Sequence, residues 1–341
     1  MSAAAAKTVY DCRCELAELF SAKPESVVFT LNTTHALNIA IKGIARKGDH
    51  ILISNMEHNS VLRPIIAEGY DYDVFDTLKP TEAMIREICS RITSRTRGIV
   101  CTHHSNICPV GLPIGAVGEL CRQRGLFFIV DAAQTAGIYP IDMSKCNIDA
   151  LCFAGHKSLY GIQGVGGIVF SQKYKGKAAR MLHTLVQGGS GMASLEENMP
   201  LYLPERLEAG TLATPAIAGL LAGVKEVRQR GLADIRDHGT MLCRRMLERL
   251  CNDDRIEVYC PDMQSSEIVL FNIKGVSPDL VAEALDKEGI CVRAGFHCAP
   301  LAHRALGTGD KGAVRVSFGA YNTPQEVDIF CDTLQKVKQG V

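Results

Sequence analysis

The chain has 341 residues, and its 37 Lys and Arg are balanced by 37 Asp and Glu, so its formal net charge at pH 7 is zero. This balance gives no electrostatic basis for binding nucleic acid or an anionic membrane, and a small-molecule ligand is expected instead. The 14 cysteines include no CxxC pair, which argues against a disulfide scaffold and a structural zinc site, so no metal is predicted.

Short apolar runs alternate with amphipathic helical stretches through the first half of the chain. After a helix at 9–20, the predicted strands are 26–30, 50–54, 97–102, 126–131, 149–153 and 166–170. The predicted helices between them are 34–46, 81–92 and 114–125. Continuous apolar strands interleaved with helices indicate a mainly parallel sheet buried on both faces. We therefore expect a three-layer α/β large domain that binds its ligand at the carboxyl ends of the strands.

The pattern changes after about residue 210. A helical region at 215–250 leads to predicted strands at 256–260, 267–274, 290–295 and 314–318, with helices at 277–289 and 323–340. Strands with helices on one side indicate a smaller α+β domain. We expect a large domain at 1–235 and a small C-terminal domain at 236–341.

Nothing in the sequence predicts export or a membrane span. The first residues, "MSAAAAK", lack the apolar core of a signal peptide. No apolar run reaches the roughly 20 residues that a bilayer-spanning helix needs. We therefore predict a cytoplasmic protein with no membrane partner.

Polar residues follow the first three predicted strands. Thr33 and Thr34 lie where a strand gives way to a helix, so their hydroxyls and the free backbone amides could hold a phosphate. An ordinary helix N-cap explains the same pattern. His58 follows the second strand and Asn106 the third; a lone histidine at such a position is more often structural than catalytic.

The next two strands end in residues of opposite charge. Asp131 ends an apolar strand and needs a cationic or donor partner unless it is solvated, and Gln134 follows it by three residues. Lys157 follows the next strand among several glycines. If desolvated there, its pKa would fall, as suits a nucleophilic amine; a surface lysine is the alternative. An Asp and a Lys at successive strand ends suit the ring nitrogen and aldehyde of one flat cofactor.

A second group of candidates lies near the carboxyl end. Cys298 stands in a loop beside Arg293 and His297, where its thiol could be held partly as the thiolate, although an inert thiol is also consistent. Arg315 lies in an alternating strand. If it faces inward, its guanidinium could hold a substrate carboxylate, and if it faces outward it is a solvated surface residue.

These segments together resemble the cysteine desulfurase and selenocysteine lyase family, within the class V aminotransferase group of pyridoxal-phosphate enzymes. The motifs that carry the resemblance are "TTHALN", "MEHNSV", "THHSN", "VDAAQ", "AGHKSLYGIQG", "EAGT", "RAGFHCAP" and "VRVSFGAYNT", in the family's order. The resemblance implies a homodimer that binds pyridoxal 5'-phosphate and releases sulfur or selenium from L-cysteine or L-selenocysteine, leaving L-alanine.

The resemblance also implies roles for the cofactor residues. Lys157 is expected to bond to the cofactor aldehyde and to move protons at the substrate α-carbon. Asp131 is expected to pair with the pyridine nitrogen, Gln134 with the ring hydroxyl, and His58 with the ring face, where it assists proton transfer. The phosphate is expected to contact four residues, namely Thr33, Thr34, His156 and, from the partner subunit, Thr211.

Substrate residues follow from the same resemblance. Asn106 and Arg315 are expected to hold the substrate carboxylate, with Arg293 nearby. Cys298 is expected to attack the substrate sulfur and to carry it as a persulfide, which a sulfur-acceptor protein could then receive.

The sequence departs from the family in two ways. Ala154 stands where relatives often carry a phosphate-binding serine. Phosphate binding is therefore expected to depend more on Thr34 and His156. Relatives also carry several dozen more residues at the amino end, and their absence here is expected to affect turnover and dimer packing. Two alternatives therefore stay open: another class V enzyme, such as an aminotransferase, epimerase or β-lyase, and a catalytically weak sulfur-transfer scaffold.

Overall fold

The computed structural model describes residues 2–262 and 267–340. Its helices are α1 (Ala3–Leu19), α2 (Thr33–Ile44), α3 (Asn59–Ala67), α4 (Thr81–Arg91), α5 (Ile114–Arg124), α6 (Thr214–Arg230), α7 (Leu232–Leu250), α8 (Pro278–Lys287), α9 (Pro300–Ala305) and α10 (Pro324–Gly340). Its strands are β1 (Val27–Thr30), β2 (His50–Ser54), β3 (Asp71–Phe75), β4 (Thr96–Thr102), β5 (Phe127–Asp131), β6 (Ala150–Ala154), β7 (Gly166–Phe170), β8 (Ile256–Tyr259), β9 (Ile268–Ile273) and β10 (Val314–Ser317).

Seven strands form one mixed sheet in the order β1-β7-β6-β5-β4-β2-β3. Strand β7 runs antiparallel to both of its neighbours, and the other neighbouring pairs are parallel. Every residue of β2, β5, β6 and β7 is buried. Because successive side chains of a strand point to opposite faces, both faces of the sheet are covered. The predicted three-layer α/β architecture is confirmed.

A smaller antiparallel sheet of three strands has the order β10-β9-β8. Its apolar face forms a core with side chains from α7, α8 and α10, among them Leu242, Phe271, Leu285, Val314 and Phe330. The predicted smaller α+β part of the fold is confirmed in this sheet.

Several element predictions need correction. Strand β3 was not predicted because it is polar and largely exposed, as suits the edge of a sheet, and α3 was not predicted because it is short and contains Pro64. The strand predicted at 290–295 is wrong: only an isolated bridge pairs Arg293 with Arg315, and the chain then turns at Gly295 with φ +96°. The helical region predicted at 215–250 is interrupted at Gly231, where φ is +88°.

The chain divides into two compact units. The first contains residues 1–54, 60–103 and 113–232, and the second contains 55–59, 104–112 and 233–341. The assignment of domains at 1–235 and 236–341 stays a prediction. No helix within the described ranges combines the length and apolar character needed to cross a membrane.

Candidate active site

Two residues of opposite charge follow neighbouring strands in the first unit. Asp131 is the last residue of β5, and β5 pairs in parallel with β6, which ends three residues before Lys157. The Asp131 carboxyl is 4% exposed and accepts a hydrogen bond from Ala133 N at 2.9 Å. Burial raises the pKa of Asp131, while the Ala133 amide and the charge of Lys157 act in the opposite direction. The buried carboxylate thus requires a cation or donor at this edge of the sheet.

Close backbone packing holds the loop that carries Lys157. Gly155 N donates to Val165 O at 3.0 Å, and a Cβ on Gly155 would come within 2.7 Å of that oxygen. On the other side, a Cβ on Gly223 of α6 would lie 2.1 Å from Leu159 O. Of the two interpretations of Lys157, a desolvated amine or a surface lysine, the single chain has the second, because Lys157 projects from this loop and is exposed. The glycines therefore fix the backbone beneath the amine while leaving the amine accessible.

Hydroxyl groups gather at the start of helix α2. The N-cap is Asn32, whose Oδ1 accepts from His35 N at 3.0 Å, so the N-cap alternative for Thr33 and Thr34 is wrong. Thr34 Oγ1 lies 2.8 Å from Ser60 Oγ, at the start of α3. The Thr33 hydroxyl oxygen is buried and has no hydrogen-bond partner among the described residues. Hydroxyls at a helix N-terminus suit a phosphate.

A buried histidine next to Asp131 was not identified from the sequence as a site residue. His103 N donates to Asp131 O at 2.9 Å, and its Nδ1 lies 3.0 Å from Thr135 Oγ1. Burial lowers the pKa of His103 to about 4, so its ring is neutral at pH 7. Gln134 is half-buried in the turn between these residues. The histidine pair in "THHSN" was the available signal, but nothing in its spacing showed which member would lie beside Asp131.

The two remaining cofactor candidates of the first unit, His156 and Thr211, are exposed. Burial and then the charge of Lys157 lower the pKa of His156, which favours its neutral form. No hydrogen bond joins these two residues to the other candidates within the described part of the chain. Their phosphate contacts therefore stay predictions.

Arginine and amide groups form the core of the candidate site in the second unit. Arg315 Nη1 donates to Asn106 O at 2.7 Å, so the arginine faces inward and the outward alternative is wrong. Arg293 and Arg315 exchange main-chain hydrogen bonds of 3.1 and 2.8 Å. Burial, with a further contribution from Arg293, lowers the pKa of Arg315 to about 10. Two neighbouring arginines without a carboxylate partner among the described residues favour an anion.

The thiol of Cys298 is exposed on a tightly held loop of the same unit. His297 and Cys298 both have left-handed backbones, with φ of +50° and +57°. Asn106 Nδ2 donates to His297 O at 2.8 Å, and Asn59 N, one residue after His58, donates to Cys298 O at 2.8 Å. Left-handed conformations are costly for residues other than glycine, so these contacts must stabilise the loop.

The expectation that His297 helps to keep Cys298 as a thiolate is wrong. Its Nε2 lies 3.0 Å from Arg293 O and its Nδ1 lies 3.3 Å from His303 Nε2, so neither ring nitrogen is directed at the thiol. Burial also lowers the pKa of His297 to about 4. A neutral imidazole at pH 7 supplies no positive charge to a thiolate.

The mainly parallel sheet, with an aspartate and a lysine at successive strand ends and hydroxyls at a helix start, defines an enzyme of the pyridoxal-phosphate class. A family model described as Aminotransferase class-V matches residues 1–330, and the chain belongs to that family.

Named relatives share most of their length with this chain. A probable cysteine desulfurase of Methanothermobacter thermautotrophicus is 30% identical over 341 aligned residues, covering 98% of this chain and 84% of that protein. A cysteine desulfurase of Salmonella agona is 31% identical over 342 residues, covering 96% and 82%. Among solved structures, an apo cysteine desulfurase from Thermococcus onnurineus NA1 has a TM-score of 0.88 and 28% identity, covering 99% of this chain and 85% of that one.

Pyridoxal phosphate is the cofactor of this family, and the described residues fit it. Buried Asp131 suits a protonated ring nitrogen, exposed Lys157 suits an aldehyde, and the unpartnered Thr33 hydroxyl suits a phosphate. In the second unit, the buried Asn106 Oδ1 and Arg315 Nε also have no hydrogen-bond partner among the described residues. Buried polar atoms are normally hydrogen-bonded, so orphaned ones indicate that a ligand completes them.

Proposed function

We propose that this protein is a pyridoxal-phosphate-dependent cysteine desulfurase, which converts L-cysteine to L-alanine and carries the released sulfur as a persulfide on Cys298. The observation that carries the proposal is the exposed Cys298 thiol on a loop hydrogen-bonded to Asn106, which also accepts from the half-buried Arg315. An aminotransferase or epimerase needs no such thiol. The names of the relatives support the same reaction.

The residues of the first unit prepare the cofactor. When bound, pyridoxal phosphate supplies an aldehyde that takes up an amino group and a ring that accepts electrons. Asp131 holds the proton on the ring nitrogen, since its buried carboxylate is stabilised by a cation. Lys157 would bond to the cofactor aldehyde, and its amine would take the α-proton of the substrate. Gln134 orients the ring hydroxyl, while Thr33, Thr34 and His156 bind the phosphate.

The residues of the second unit bind the substrate and break its carbon–sulfur bond. Arg315 and Asn106 bind the carboxylate, and Arg293 adds positive charge beside them. His58 moves a proton near the substrate. The Cys298 thiolate attacks the substrate sulfur, so a sulfur–sulfur bond forms as the carbon–sulfur bond breaks. The electron pair of the broken carbon–sulfur bond stays on the substrate carbon, which takes up a proton to become the methyl group of alanine. One sulfur atom remains on the enzyme.

The test is alanine production from L-cysteine by the purified protein loaded with cofactor. Cys298→Ala should abolish alanine formation from cysteine while leaving the visible absorbance of bound cofactor unchanged. Cys291→Ala is the matched control, because Cys291 is another exposed thiol of the same unit. Undiminished alanine formation by Cys298→Ala would overturn the proposal. L-selenocysteine assayed beside cysteine gives the preference between sulfur and selenium.

Lys157→Ala tests the assignment of the cofactor residue. This variant should lose the covalent attachment of the cofactor, so that gel filtration removes the visible absorbance and alanine formation stops. Lys173→Ala, an exposed lysine beyond β7, is the control. A Lys157→Ala protein that keeps the absorbance after gel filtration would show that another amine holds the cofactor.

We also propose that the protein works as a homodimer, with Thr211 reaching the phosphate of the partner subunit. Support comes from the segment 181–202, where large apolar side chains are exposed, including Val186 at 51%, Met192 at 55% and Leu195 at 100%. Monomers rarely expose such groups together. Sedimentation at several concentrations should give twice the chain mass, and a monomer at every concentration would refute this.

Transfer of the persulfide sulfur to an acceptor protein is proposed as well, because the Cys298 thiol is exposed to a partner. The proposed compartment is the cytoplasm, where thiols stay reduced and able to accept sulfur. Loading with labelled cysteine followed by incubation with a candidate acceptor would detect this transfer by mass spectrometry. An acceptor that gains no label from a persulfide-loaded enzyme is not its partner.

A further inference from the structure

A continuous series of hydrogen bonds lies behind the Cys298 loop. Thr308 Oγ1 is 2.7 Å from His303 Nδ1, His303 Nε2 is 3.3 Å from His297 Nδ1, and His297 Nε2 is 3.0 Å from Arg293 O. The two imidazole planes differ by 11°, with centroids 5.5 Å apart. His303 is 1% exposed and His297 4%. We call these three residues, His297, His303 and Thr308, the histidine relay.

The direction of each hydrogen bond follows from the acceptor at one end of the series, Arg293 O. Arg293 O can only accept, so His297 Nε2 carries a proton. Burial lowers the pKa of both histidines, so both rings are neutral, and His297 Nδ1 must therefore accept. His303 Nε2 then donates to it, which leaves His303 Nδ1 as the acceptor of the Thr308 hydroxyl proton. Every donor in the relay thus points towards Arg293.

The reverse direction is excluded by the same contacts. Thr308 Oγ1 also lies 3.3 Å from His303 O, and a proton donated there would require Nδ1–H on His303. His303 Nε2 would then present a lone pair to the lone pair of His297 Nδ1 at 3.3 Å. A cationic ring would relieve this repulsion, but burial disfavours the cation. The shorter 2.7 Å contact to Nδ1 therefore takes the hydroxyl proton.

The relay ends at the residues proposed to bind substrate and to carry sulfur. His297 is the neighbour of Cys298, and its carbonyl accepts from Asn106 Nδ2 at 2.8 Å. Arg293, whose carbonyl accepts from the His297 ring, pairs through its main chain with Arg315. The His297 ring and carbonyl thus connect the thiol loop to both substrate-binding segments. Without the ring contacts, two successive left-handed residues would lose part of their restraint.

We propose that His303 and Thr308 are positioning residues for Cys298, which fix the tautomer of His297 and hold the thiol loop in its left-handed conformation. This inference deepens the proposed desulfurase function and rests on it for the role of Cys298. Neither residue touches substrate; each acts through His297. Disruption of the histidine relay is therefore expected to slow sulfur transfer without weakening cofactor binding.

The kinetic test compares Thr308→Val with Thr308→Ser in the cofactor-loaded protein. Valine keeps the shape of threonine but removes the donor to His303, whereas serine keeps it. We expect Thr308→Val to lower kcat for cysteine about tenfold with KM changed less than about twofold, since small misplacement of a reacting group is costly. Thr308→Ser should restore the rate. Thr333→Val is the matched control, since Thr333 is another buried threonine, on α10 of the same unit.

Two further readouts do not depend on catalysis. In protein labelled with ¹⁵N-histidine, the His303 signal, assigned through His303→Asn, should show a neutral ring with its proton on Nε2. Amide hydrogen exchange at 296–299 should be faster in Thr308→Val than in wild type, Thr308→Ser or Thr333→Val. Wild-type kcat in Thr308→Val, or a proton on Nδ1 of His303, would overturn the proposal. If the wild type releases no alanine, the proposed function fails, while the tautomer and exchange measurements still decide whether the relay holds the loop.

Discussion

The buried ion pair between Arg13 and Glu208 connects α1 to the segment that precedes Thr211. Arg13 Nη2 lies 2.6 Å from Glu208 Oε2 and Nη1 lies 2.9 Å from Oε1, and each residue is 8% exposed. Glu208 Oε1 also accepts from Phe29 N at 2.6 Å. Burial raises the pKa of Glu208, and Arg13 opposes that rise, so the carboxylate depends on its partner.

Glu208→Gln keeps the size of the side chain and removes its charge, which leaves the Arg13 guanidinium buried without a counter-charge. Removing one member of a buried pair costs about 3 to 5 kcal/mol. For a unit of this size, about 2 to 4 °C are lost per kcal/mol, so the Tm should fall by roughly 6 to 20 °C. The larger shift is expected if the Thr211 segment also loosens.

Thermal unfolding followed by circular dichroism measures this shift, with Asp328→Asn as the control. Arg245 also makes two hydrogen bonds to Asp328, from Nε at 2.8 Å and from Nη2 at 2.7 Å, but the two side chains are 45% and 37% exposed. An exposed pair contributes at most about 1 kcal/mol because water screens it. If Glu208→Gln lowers the Tm no more than Asp328→Asn does, burial does not increase the contribution of the Arg13–Glu208 pair to the free energy of unfolding, and the predicted cost is wrong.

Three further predictions concern the candidate site. Gly223→Ala places a Cβ 2.1 Å from a main-chain oxygen of the loop after β6, so it should weaken cofactor retention in a gel-filtration assay, while Gly115→Ala, which meets nothing within 4 Å, should not. Arg315→Gln should raise KM for cysteine roughly 10- to 150-fold, the value of a charge-assisted hydrogen bond, with a smaller effect on kcat in steady-state assays; an unchanged KM would remove Arg315 from the carboxylate site. Cofactor-free protein should lose stability as pH falls from 6.5 towards 4, because burial lowers the pKa of His103 and of His297 to about 4 and the unfolded chain binds protons that the folded chain excludes. Urea unfolding should show about 1.4 kcal/mol lost per pH unit for each histidine, and a flat profile would contradict this.

Local periodicity was sufficient to predict most of the large sheet. Runs such as 127–131 and 150–154 are continuously apolar because both faces of their strands are buried, and this property is visible residue by residue. The elements that escaped prediction are those whose pattern is set by their surroundings: β3 is polar because it lies at an edge, and the segment 290–295 looks like a strand but pairs at Arg293 alone.

Some residues of the candidate site could likewise be predicted from local sequence, and others could not. Asp131 and Lys157 could be proposed from sequence because each follows an apolar strand directly, and parallel register brings such strand ends to one edge. The contact of Arg315 with Asn106 joins residues 209 positions apart, so no local pattern contains it.

The sequence by itself determined six of the seven strands of the large sheet and the residues at their ends, since these depend on the backbone period and on burial. Only the tertiary structure decided that Arg315 faces inward, that His297 is neutral and turned away from the thiol, and that His303 and Thr308 stand behind it. The physical reason is that hydrogen-bond partners and pKa values depend on which side chains packing brings together, and packing joins residues that are far apart along the chain.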